Sequence, residues 1–396
     1  MSDANKLLNS PTLLVTSSPH LHEGTKTRTI MWTVVIALLP ATAWGIYVFG
    51  LNALAVVLVS IFTAVLTELI ISLIKHKITV LDGSAFLTGL LIGLNMPPQV
   101  PLYIPAIASL FAIAVVKQAF GGLGSNWMNP ALAGRVFVMF SFQGPMSTWQ
   151  LPRTLLGSSL TVTAASTLRQ SVDAITSASP LMTIKNSLTE ITSRFADPLK
   201  AKEYLQSIGG PLQVLSEKNY PVSEFALQIA NWLNSNLGLK IQASYLDLFF
   251  GNIPGCIGEI SAFLLLFGAG LLFIRRIISW EIPLSMLGSF SLLVWLLGGL
   301  RFGAGLGSGD VAFQLFSGGL ILGAFFMATD YVTSPLSRIG KIVFGLGCGV
   351  LTFLIRFYGS LPEGVSLAII IMNMTVPLID SFFKPKIFGR KKGERL

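Results

Sequence analysis

Charged residues are scarce in this chain. They make up 11% of its 396 residues, against about a quarter in soluble domains, while apolar residues make up 52%. This composition excludes an ordinary soluble domain and predicts a polytopic membrane protein. The formal net charge of +9 does not indicate nucleic-acid binding, because the Lys and Arg residues cluster at the ends of apolar runs and in the C-terminal tail.

Cysteine and histidine are also scarce, with two and three residues respectively. Cys256 and Cys348 lie far apart in apolar surroundings, and an iron–sulfur cluster usually needs about four ligands. We therefore expect two small buried side chains rather than a cluster held by this chain alone. No His, Cys, Asp or Glu residues show the spacing of a metal site. The glycines within 121–124 follow an apolar run rather than a strand, which excludes a dinucleotide-binding fingerprint.

Long apolar runs dominate the remainder of the chain. Residues 1–28 are polar and the first run is long enough to span a bilayer, so no cleavable signal peptide is expected. Because a full span takes about 20 residues, the pattern predicts an all-α polytopic fold of about ten transmembrane helices. The ten runs lie near residues 29–49, 52–73, 83–96, 102–120, 130–143, 257–274, 282–298, 311–328, 340–355 and 362–380.

Two of these runs are short and adjoin helix breakers. The third ends at Asn95-Met96-Pro97-Pro98, and the fifth begins after Asn129 at Pro130. Breaker residues at membrane depth are tolerated where the backbone is buried in protein or lines a cavity. The sequence therefore predicts broken helices at both places.

An internal repeat divides the chain into two halves. The segment Phe86–Gly93 in the third run matches Phe316–Gly323 in the eighth, at corresponding places in two sets of five runs. An odd number of spans inverts the second set across the membrane. We predict two inverted five-helix repeats, at 29–143 and 251–380, with an N-terminal cytoplasmic segment at 1–28 and a basic cytoplasmic tail at 381–396.

The charge distribution predicts the orientation. With the N-terminus inside, sixteen Lys and Arg residues fall on the inner side, Lys117 among them, and only Arg301 and Arg356 fall in short outer loops. Both termini are therefore expected in the cytoplasm and the long polar loop 144–250 outside. Within that loop, apolar residues at helical spacing predict amphipathic helices; they are Leu181, Ile184, Leu188 and Ile191, then Phe225, Ile229, Trp232 and Leu233.

Three stretches resemble the D subunit of the Rnf complex, a membrane ferredoxin:NAD oxidoreductase that couples electron transfer to ion pumping. They are Phe120–Arg135, Gly323–Asp330 with Thr333-Ser334-Pro335, and Pro362–Ser366 with Met372-Asn373 and Pro377–Asp380. The related B subunit of the sodium-pumping NADH:quinone reductase usually has Glu where this chain has Gln118. That difference and the short N-terminus favour the Rnf branch.

The resemblance implies covalently bound FMN, joined through its phosphate to Ser179 by an extracytoplasmic flavin transferase. The family motif matches Asp173, Thr176, Ser177, Ala178 and Ser179, with Ser177 in place of the usual Gly and Ser179 in place of the usual Thr. Either hydroxyl can form a phosphoester. The alternative, which the residues alone predict, is that this stretch is only a helix-capping turn before Pro180.

The resemblance also implies a second, non-covalent flavin, riboflavin, near Asn126 and Asn129. A carboxamide offers a paired donor and acceptor that complement the N3–H and carbonyl edge of isoalloxazine. The alternative for both residues is to cap the ends of broken helices.

Three acidic residues lie within or at the ends of apolar runs and are candidates for an ion pathway. They are Glu68, Asp330 and Asp380, of which Asp380 matches a family residue linked to cation uptake. The alternative is an interfacial position, near Arg338 for Asp330 and near Lys384 for Asp380. Glu363 is expected to be solvated on the outer side.

The sequence thus favours a flavin-carrying electron-transfer subunit of an Rnf-type complex in a bacterial cytoplasmic membrane. It would move Na⁺ or H⁺ together with its partners, implied by the resemblance to be the G flavoprotein and the iron–sulfur and membrane proteins that form the A, B, C and E subunits. The alternatives are the B subunit of the quinone reductase, a channel or transporter without redox function, and a scaffold that has lost its flavin.

Overall fold

The structure is a computed structural model that describes residues 26–76, 79–156, 176–195, 198–218, 220–359, 361 and 363–384. The predictions for residues 1–25, for Asp173 and for the basic tail beyond Lys384 lie outside the described residues.

Five helices lie in the described part of the first half of the chain. They are α1 (Thr27–Phe49), α2 (Leu51–Ile74), α3 (Ser84–Leu94), α4 (Tyr103–Leu110, continuing as a π-helix over Phe111–Gln118) and α5 (Pro130–Ser141), with a 3₁₀ turn at Val80–Asp82 before α3. Asn129 begins α5, because its side-chain oxygen accepts hydrogen bonds from the backbone N–H groups of Ala131 and Leu132 and Pro130 occupies the first helical position.

The loop between the halves forms short helices and one two-stranded sheet. The elements are α6 (Gln143–Met146), β1 (Trp149–Gln150), α7 (Arg153–Leu156), β2 (Thr176–Ser177), α8 (Pro180–Arg194), α9 (Pro198–Ile208), α10 (Pro211–Glu217), α11 (Glu224–Leu237) and α12 (Ala243–Phe250). The strands β1 and β2 are antiparallel, with Trp149 opposite Ser177 and Gln150 opposite Thr176.

The described part of the second half contains six helices. It contains α13 (Ala262–Ile274), α14 (Glu281–Leu297, continuing as a 3₁₀ helix over Gly298–Phe302), α15 (Val311–Phe316), α16 (Leu320–Leu322, continuing as a π-helix over Gly323–Met327), α17 (Arg338–Tyr358) and α18 (Val365–Phe382). Buried apolar residues from both halves and from α8 form one continuous core.

Among the described residues, five helices are long and apolar enough to cross a membrane: α1, α2, α14 with its 3₁₀ extension, α17 and α18. Four more apolar helices are shorter, namely α3, α4, α5 and α13. Large apolar side chains face outward on α2, where Leu51, Phe62 and Ile74 are more than half exposed. Such a surface suits lipid rather than water, so the fold is that of a polytopic membrane protein, while the count of ten spans stays a prediction.

The predicted break after the third run is present. Backbone N–H groups from the second half of the chain are hydrogen-bonded to the carbonyl groups at the break. α3 ends at Leu94, and the carbonyl oxygens of Leu94 and Met96 accept hydrogen bonds from the N–H groups of Gly258 (2.8 Å) and Ile257 (3.1 Å). A Cβ atom at Gly258 would lie 2.5 Å from the Cβ of Leu94, so only glycine permits this approach. Irregular backbone at this depth is thereby buried in protein, as a membrane requires.

The eighth run contains a break that the sequence analysis missed. It was predicted as one segment, but α15 ends at Phe316 and α16 begins at Leu320. Between them Gly318 has a φ of +71°, a conformation that side-chain-bearing residues rarely adopt. At the end of α15 the carbonyl oxygen of Phe313 accepts hydrogen bonds from both the backbone N–H (3.0 Å) and the hydroxyl (2.6 Å) of Ser317.

The amphipathic helices of the loop were predicted with mixed success. α8 is confirmed, with Leu181, Ile184 and Ile191 buried. α11 is present as a helix, with Ile229 and Leu233 half-buried, whereas Phe225 and Trp232 are exposed and the buried residues of the helix are Ala226 and Ala230.

Two basic residues lie elsewhere than the charge distribution predicted. Lys117, expected as an inner-side topology charge, is 1% exposed, and Arg356, expected in an outer loop, is 5% exposed within α17. Lys117 donates to the Ser84 hydroxyl at the start of α3 (2.6 Å), and Arg356 donates to the carbonyl oxygen of Gln314 within α15 (2.6 Å). Ser84 and Gln314 occupy equivalent positions in the predicted repeat. Contacts to a buried basic side chain at both positions favour the repeat, which stays a prediction.

Candidate functional site

A cavity of about 270 Å³ lies where the loop meets the helices, and is called the outer cavity here. Met139 on α5, Trp149 on β1 and Met182 on α8 form its walls. Gln143 and Ser147 line it and are exposed, so solvent reaches it. Its buried lining comprises Arg135, Cys256 and Glu363.

Ser179 lies beside the outer cavity as the residue that begins α8. Its hydroxyl oxygen accepts a hydrogen bond from the backbone N–H of Met182 (3.3 Å), and Pro180 occupies the first helical position. This is the capping role that the residues alone predict. The side chain is 3% exposed, so it points into the protein rather than into solvent.

The other residues of the predicted flavin motif are only partly described. Thr176 and Ser177 form β2, and their backbone pairs with β1, which contributes Trp149 to the outer cavity. Asp173 lies outside the described residues. The motif is therefore joined to the lining of the outer cavity through Trp149, which is paired with Ser177, and through Met182, whose N–H the Ser179 hydroxyl accepts.

Buried polar groups hold the start of α8 in place. The carbonyl oxygen of Ala178 accepts hydrogen bonds from the Tyr220 hydroxyl (3.3 Å) and the Thr183 hydroxyl (3.4 Å). Burial raises the pKa of Tyr220, which keeps its hydroxyl protonated as a donor. One turn further on, Lys185 donates to the carbonyl oxygens of Gly359 (2.5 Å) and Leu361 (3.0 Å).

The same lysine is electrostatically perturbed. Burial, and secondarily the nearby charge of Arg301, lowers the pKa of Lys185. Its two carbonyl partners stand just beyond the end of α17, so α8 is fixed to the second half of the chain as well as to the first.

A second cavity, called the inner cavity here, lies at the opposite end of α5. It has a volume of about 90 Å³ and is lined by residues from both halves, including Lys117, Asn126, Asn129 and Asp330. The two asparagines that the sequence linked to riboflavin are therefore brought together here.

The two asparagines differ in what their side chains already do. Asn129 is fully engaged, because its oxygen caps α5 and its Nδ2 donates to the carbonyl oxygen of Met327 (3.2 Å). The Oδ1 atom of Asn126 is buried and has no hydrogen-bond partner among the described residues. Of the two, Asn126 is the one with an acceptor left for a ligand.

The three candidate acids do not form one site. Glu68 is 0% exposed and forms an ion pair with Lys117 (2.6 Å), while its other oxygen accepts from the Thr79 hydroxyl (2.9 Å). Asp330 lines the inner cavity and accepts from the Thr333 hydroxyl (3.2 Å). Asp380 accepts from the backbone N–H of Leu336 (3.1 Å).

A buried charge cluster between the halves was missed by sequence reasoning. Arg135 donates to the Asn95 side-chain oxygen (2.7 Å) and the Ser366 hydroxyl (3.0 Å) through Nη1, and to Glu363 (2.6 Å) through Nη2. The expectation of a solvated Glu363 is wrong: its side chain is 8% exposed and paired. Leaving Arg135 unpaired in the bundle would carry a large desolvation penalty, which explains why a partner is buried with it.

Cys256 and Glu259 complete this cluster. The Cys256 sulfur and the carboxylate oxygens of Glu259 and Glu363 lie within 4.8 Å of one another. Sequence spacing could not reveal the grouping, because Glu363 is distant in the chain. The signal available was Glu259 itself, an acid at the edge of an apolar run. The expected burial of both cysteines is confirmed.

Comparison with known proteins identifies the family. Residues 14–389 match the model of the NQR2, RnfD, RnfE family. The D subunit of the proton-translocating ferredoxin:NAD(+) oxidoreductase complex of Clostridium ljungdahlii is 38% identical over 96% of this chain and 96% of its own length.

Two further relatives have similar identity and coverage. The D subunit of the Na(+)-translocating ferredoxin:NAD(+) oxidoreductase complex of Acetobacterium woodii is 39% identical over 97% of this chain and 98% of its own length. The D subunit of an ion-translocating oxidoreductase complex of Stutzerimonas stutzeri is 38% identical over 91% and 92%. The predicted resemblance to the Rnf D subunit is thus confirmed, and the chain belongs to the NQR2, RnfD, RnfE family.

Proposed function

We propose that this chain is a flavin-carrying electron-transfer subunit of an Rnf-type ferredoxin:NAD oxidoreductase that couples electron flow to Na⁺ or H⁺ translocation. It would carry FMN on Ser179 and riboflavin near Asn126, and it would act together with the other subunits of the complex in a bacterial cytoplasmic membrane. The relatives named above include one proton-translocating and one Na(+)-translocating complex, so similarity does not select the ion.

Ser179 carries this proposal, because its hydroxyl stands at the N-terminus of α8 and beside the outer cavity. The N-terminal N–H groups of a helix bind phosphate well, since they carry partial positive charge and lack partners within the helix. A phosphoester on Ser179 would keep an acceptor for the Met182 N–H and add oxygens for its neighbours. The cavity of about 270 Å³ is near the lower end of the roughly 300–1,000 Å³ typical of small-molecule pockets.

The burial of Ser179 sets a condition on flavin attachment. A transferase needs access to the hydroxyl, which is 3% exposed. Attachment therefore precedes the packing of α8 or accompanies an opening of its first turn. The predicted outer location of loop 144–250 would put Ser179 on the side of an extracytoplasmic transferase.

Asn126 supports the second flavin. Its unpartnered Oδ1 can accept the N3–H of an isoalloxazine ring, and Asn129 is left to shape the cavity by capping α5. At about 90 Å³ the inner cavity has to widen to admit the ring. Bound flavin supplies the redox chemistry, while the chain holds it in place and excludes water.

Glu68, Asp330 and Asp380 remain candidates for the ion pathway. The charge of Glu68 is already balanced by its ion pair with Lys117, which makes Glu68 the weakest of the three candidates. Asp330 lines the inner cavity, and Asp380 links α18 to the loop before α17 through Leu336. Of these, Asp380 matches the family residue most directly.

Replacement of Ser179 tests the covalent flavin. Ser179→Asn keeps a helix cap but has no hydroxyl for a phosphoester, so we expect the denatured chain, made with its transferase, to lose flavin fluorescence in a gel. Ser179→Thr should retain it. The mass of the peptide that contains residue 179 identifies the attachment point.

The exposed Ser193 on the same helix provides the control, because Ser193→Ala should leave the fluorescence unchanged. Fluorescence that persists in Ser179→Asn would move the attachment to Thr176 or Ser177. A wild-type chain without any bound flavin would favour the channel or the scaffold instead.

The sidedness follows from the charge distribution and is tested by cysteine labelling. Ser147 lies near the outer cavity and Ser381 lies at the end of α18, and both are exposed. Ser147→Cys should react with an impermeant maleimide in intact cells, and Ser381→Cys only after the cells are opened. The native cysteines are buried and give little background. The reverse pattern would place the flavin motif on the wrong side for the transferase.

Substitutions of Asn126 and of Asn129 should have different effects on riboflavin binding. Asn126→Ala removes one hydrogen bond, worth about 0.5–1.5 kcal/mol, and should weaken riboflavin retention roughly 2- to 12-fold without changing covalent FMN. Asn129→Ser keeps a capping oxygen and should retain the flavin. Acid-released flavin in the purified complex measures both; loss in Asn129→Ser alone would reverse the assignment.

Asp380→Asn tests the cation pathway. The amide keeps an acceptor for the Leu336 N–H, so assembly and flavin content should stay unchanged. If the charge contributes to cation uptake, the cation concentration for half-maximal electron transfer should rise, since cation sites depend on ligand charge. An unchanged cation dependence would reduce Asp380 to a structural residue.

A further inference from the structure

Glu259 is a buried acid with one unsatisfied oxygen. It lies in the irregular segment that pairs with the broken end of α3, and it is 3% exposed. Its Oε1 accepts a hydrogen bond from the backbone N–H of Cys256 (3.0 Å), whereas Oε2 is buried and has no hydrogen-bond partner in the described part of the chain. A buried carboxylate oxygen without a donor or cation is strongly disfavoured.

The charged groups around Glu259 leave that oxygen uncompensated. Arg135 is paired with Glu363 at 2.6 Å and also contacts the Cys256 sulfur at 3.6 Å. Arg356 faces the two acids from α17, but its Nη1 is bound to Gln314, and among the described residues it forms no ion pair with either acid within 4.0 Å. The Nε and Nη2 atoms of Arg356 are also buried without a hydrogen-bond partner among the described residues, so its charge balances that of the acids only at a distance, and Oε2 of Glu259 is left without a contacting donor or cation.

The backbone near Oε2 leaves room for a small occupant only. A Cβ atom at Gly319 would lie 2.6 Å from this oxygen, so the glycine brings the start of α16 close to it. Gly319 is also the glycine of the repeat that matches Gly89. A divalent metal shared by Cys256, Glu259 and Glu363 is a poor occupant, because Arg135 already contacts two of these three side chains.

The site has a route to the outside. Arg135, Cys256 and Glu363 line the outer cavity, which exposed residues border at its other end. Glu259 lies directly behind them, within 4.8 Å of the Cys256 sulfur and a Glu363 oxygen. A small cation that enters the outer cavity has only this layer to pass.

We propose that Glu259, with Glu363 beside it, binds one small monovalent cation, a proton or a sodium ion, that exchanges with the outer cavity. The occupant satisfies Oε2. The proposal extends the ion translocation proposed above and rests on it, and it places a cation site next to the candidate FMN position.

Labelling of the purified complex with a hydrophobic carbodiimide tests the site, because this reagent modifies protonated carboxyl groups in apolar surroundings. Mass spectrometry of the peptide that contains Glu259 gives the extent of labelling. Glu68 is the internal control, since it is also buried but forms an ion pair with Lys117 at 2.6 Å. We expect Glu259 to be labelled at least fivefold more than Glu68, and less as the pH rises.

The outcomes distinguish the two cations. Protection of Glu259 by NaCl but not by KCl supports sodium, and labelling that depends on pH alone supports the proton. Labelling of Glu259 no greater than that of Glu68, with no effect of pH or Na⁺, overturns the proposal. Repeating the assay with the Ser179→Asn complex shows whether the cation site survives when the covalent flavin is absent, so the two proposals fail separately.

A second measurement does not require the carbodiimide to reach Glu259. A cation that binds only the folded complex stabilises it by an amount that grows with the logarithm of its concentration above Kd, so the wild-type Tm should depend on pH or on Na⁺ concentration. Glu259→Gln keeps the acceptor for the Cys256 N–H and removes the charge, and we expect the part of this dependence that belongs to the site to disappear. The same dependence in Glu259→Gln and in the wild type would contradict the proposal.

Discussion

The buried guanidinium of Arg135 is the interaction on which the remainder of the structure depends. A guanidinium has five N–H donors and stays charged, so burying it requires partners from several directions. Arg135 finds them at the end of α3, in the segment before α13 and at the start of α18. Removing one partner of such a pair typically costs about 3–5 kcal/mol. The cluster therefore ties the two halves together, because neither half supplies all the partners.

The broken helices and the charge cluster depend on each other. α3 stops at Leu94, which frees Asn95 to present its side-chain oxygen to Arg135. The carbonyl groups released by the break accept from Ile257 and Gly258, and this pairing fixes the segment that contains Cys256 and Glu259. If α3 were continuous, its backbone groups would be bonded within the helix. The Asn95 side chain would then not be presented to Arg135, and the segment that contains Glu259 would lose its hydrogen bonds to α3.

Features set by neighbouring residues could be predicted from the sequence, whereas contacts between residues far apart in the chain could not. The break after α3 and the start of α8 were predicted because Pro, Asn and Ser act within a few residues. The burial of Glu363 depends on Arg135, 228 residues away, and the burial of Lys117 depends on Glu68. Helical spacing predicted α11 but could not show that Phe225 and Trp232 stay exposed, since it does not identify a surface that covers the apolar face. For the candidate site, Ser179 and Asn126 came from motifs, whereas Glu259 needed the fold.

The short helix α5 connects the two candidate flavin positions and the cation site. Its capping residue Asn129 borders the inner cavity, Arg135 lies midway, and Met139 borders the outer cavity. From Pro130 to Met139 the helix rises roughly 14 Å at 1.5 Å per residue. Arg135 faces both Glu259 and the outer cavity, so a cation on Glu259 changes the electrostatic potential at that cavity. By linkage, a change of flavin charge there would alter the affinity of Glu259 for its cation by an equal free energy. If flavin and cation bind as proposed, this one guanidinium couples the two sites electrostatically.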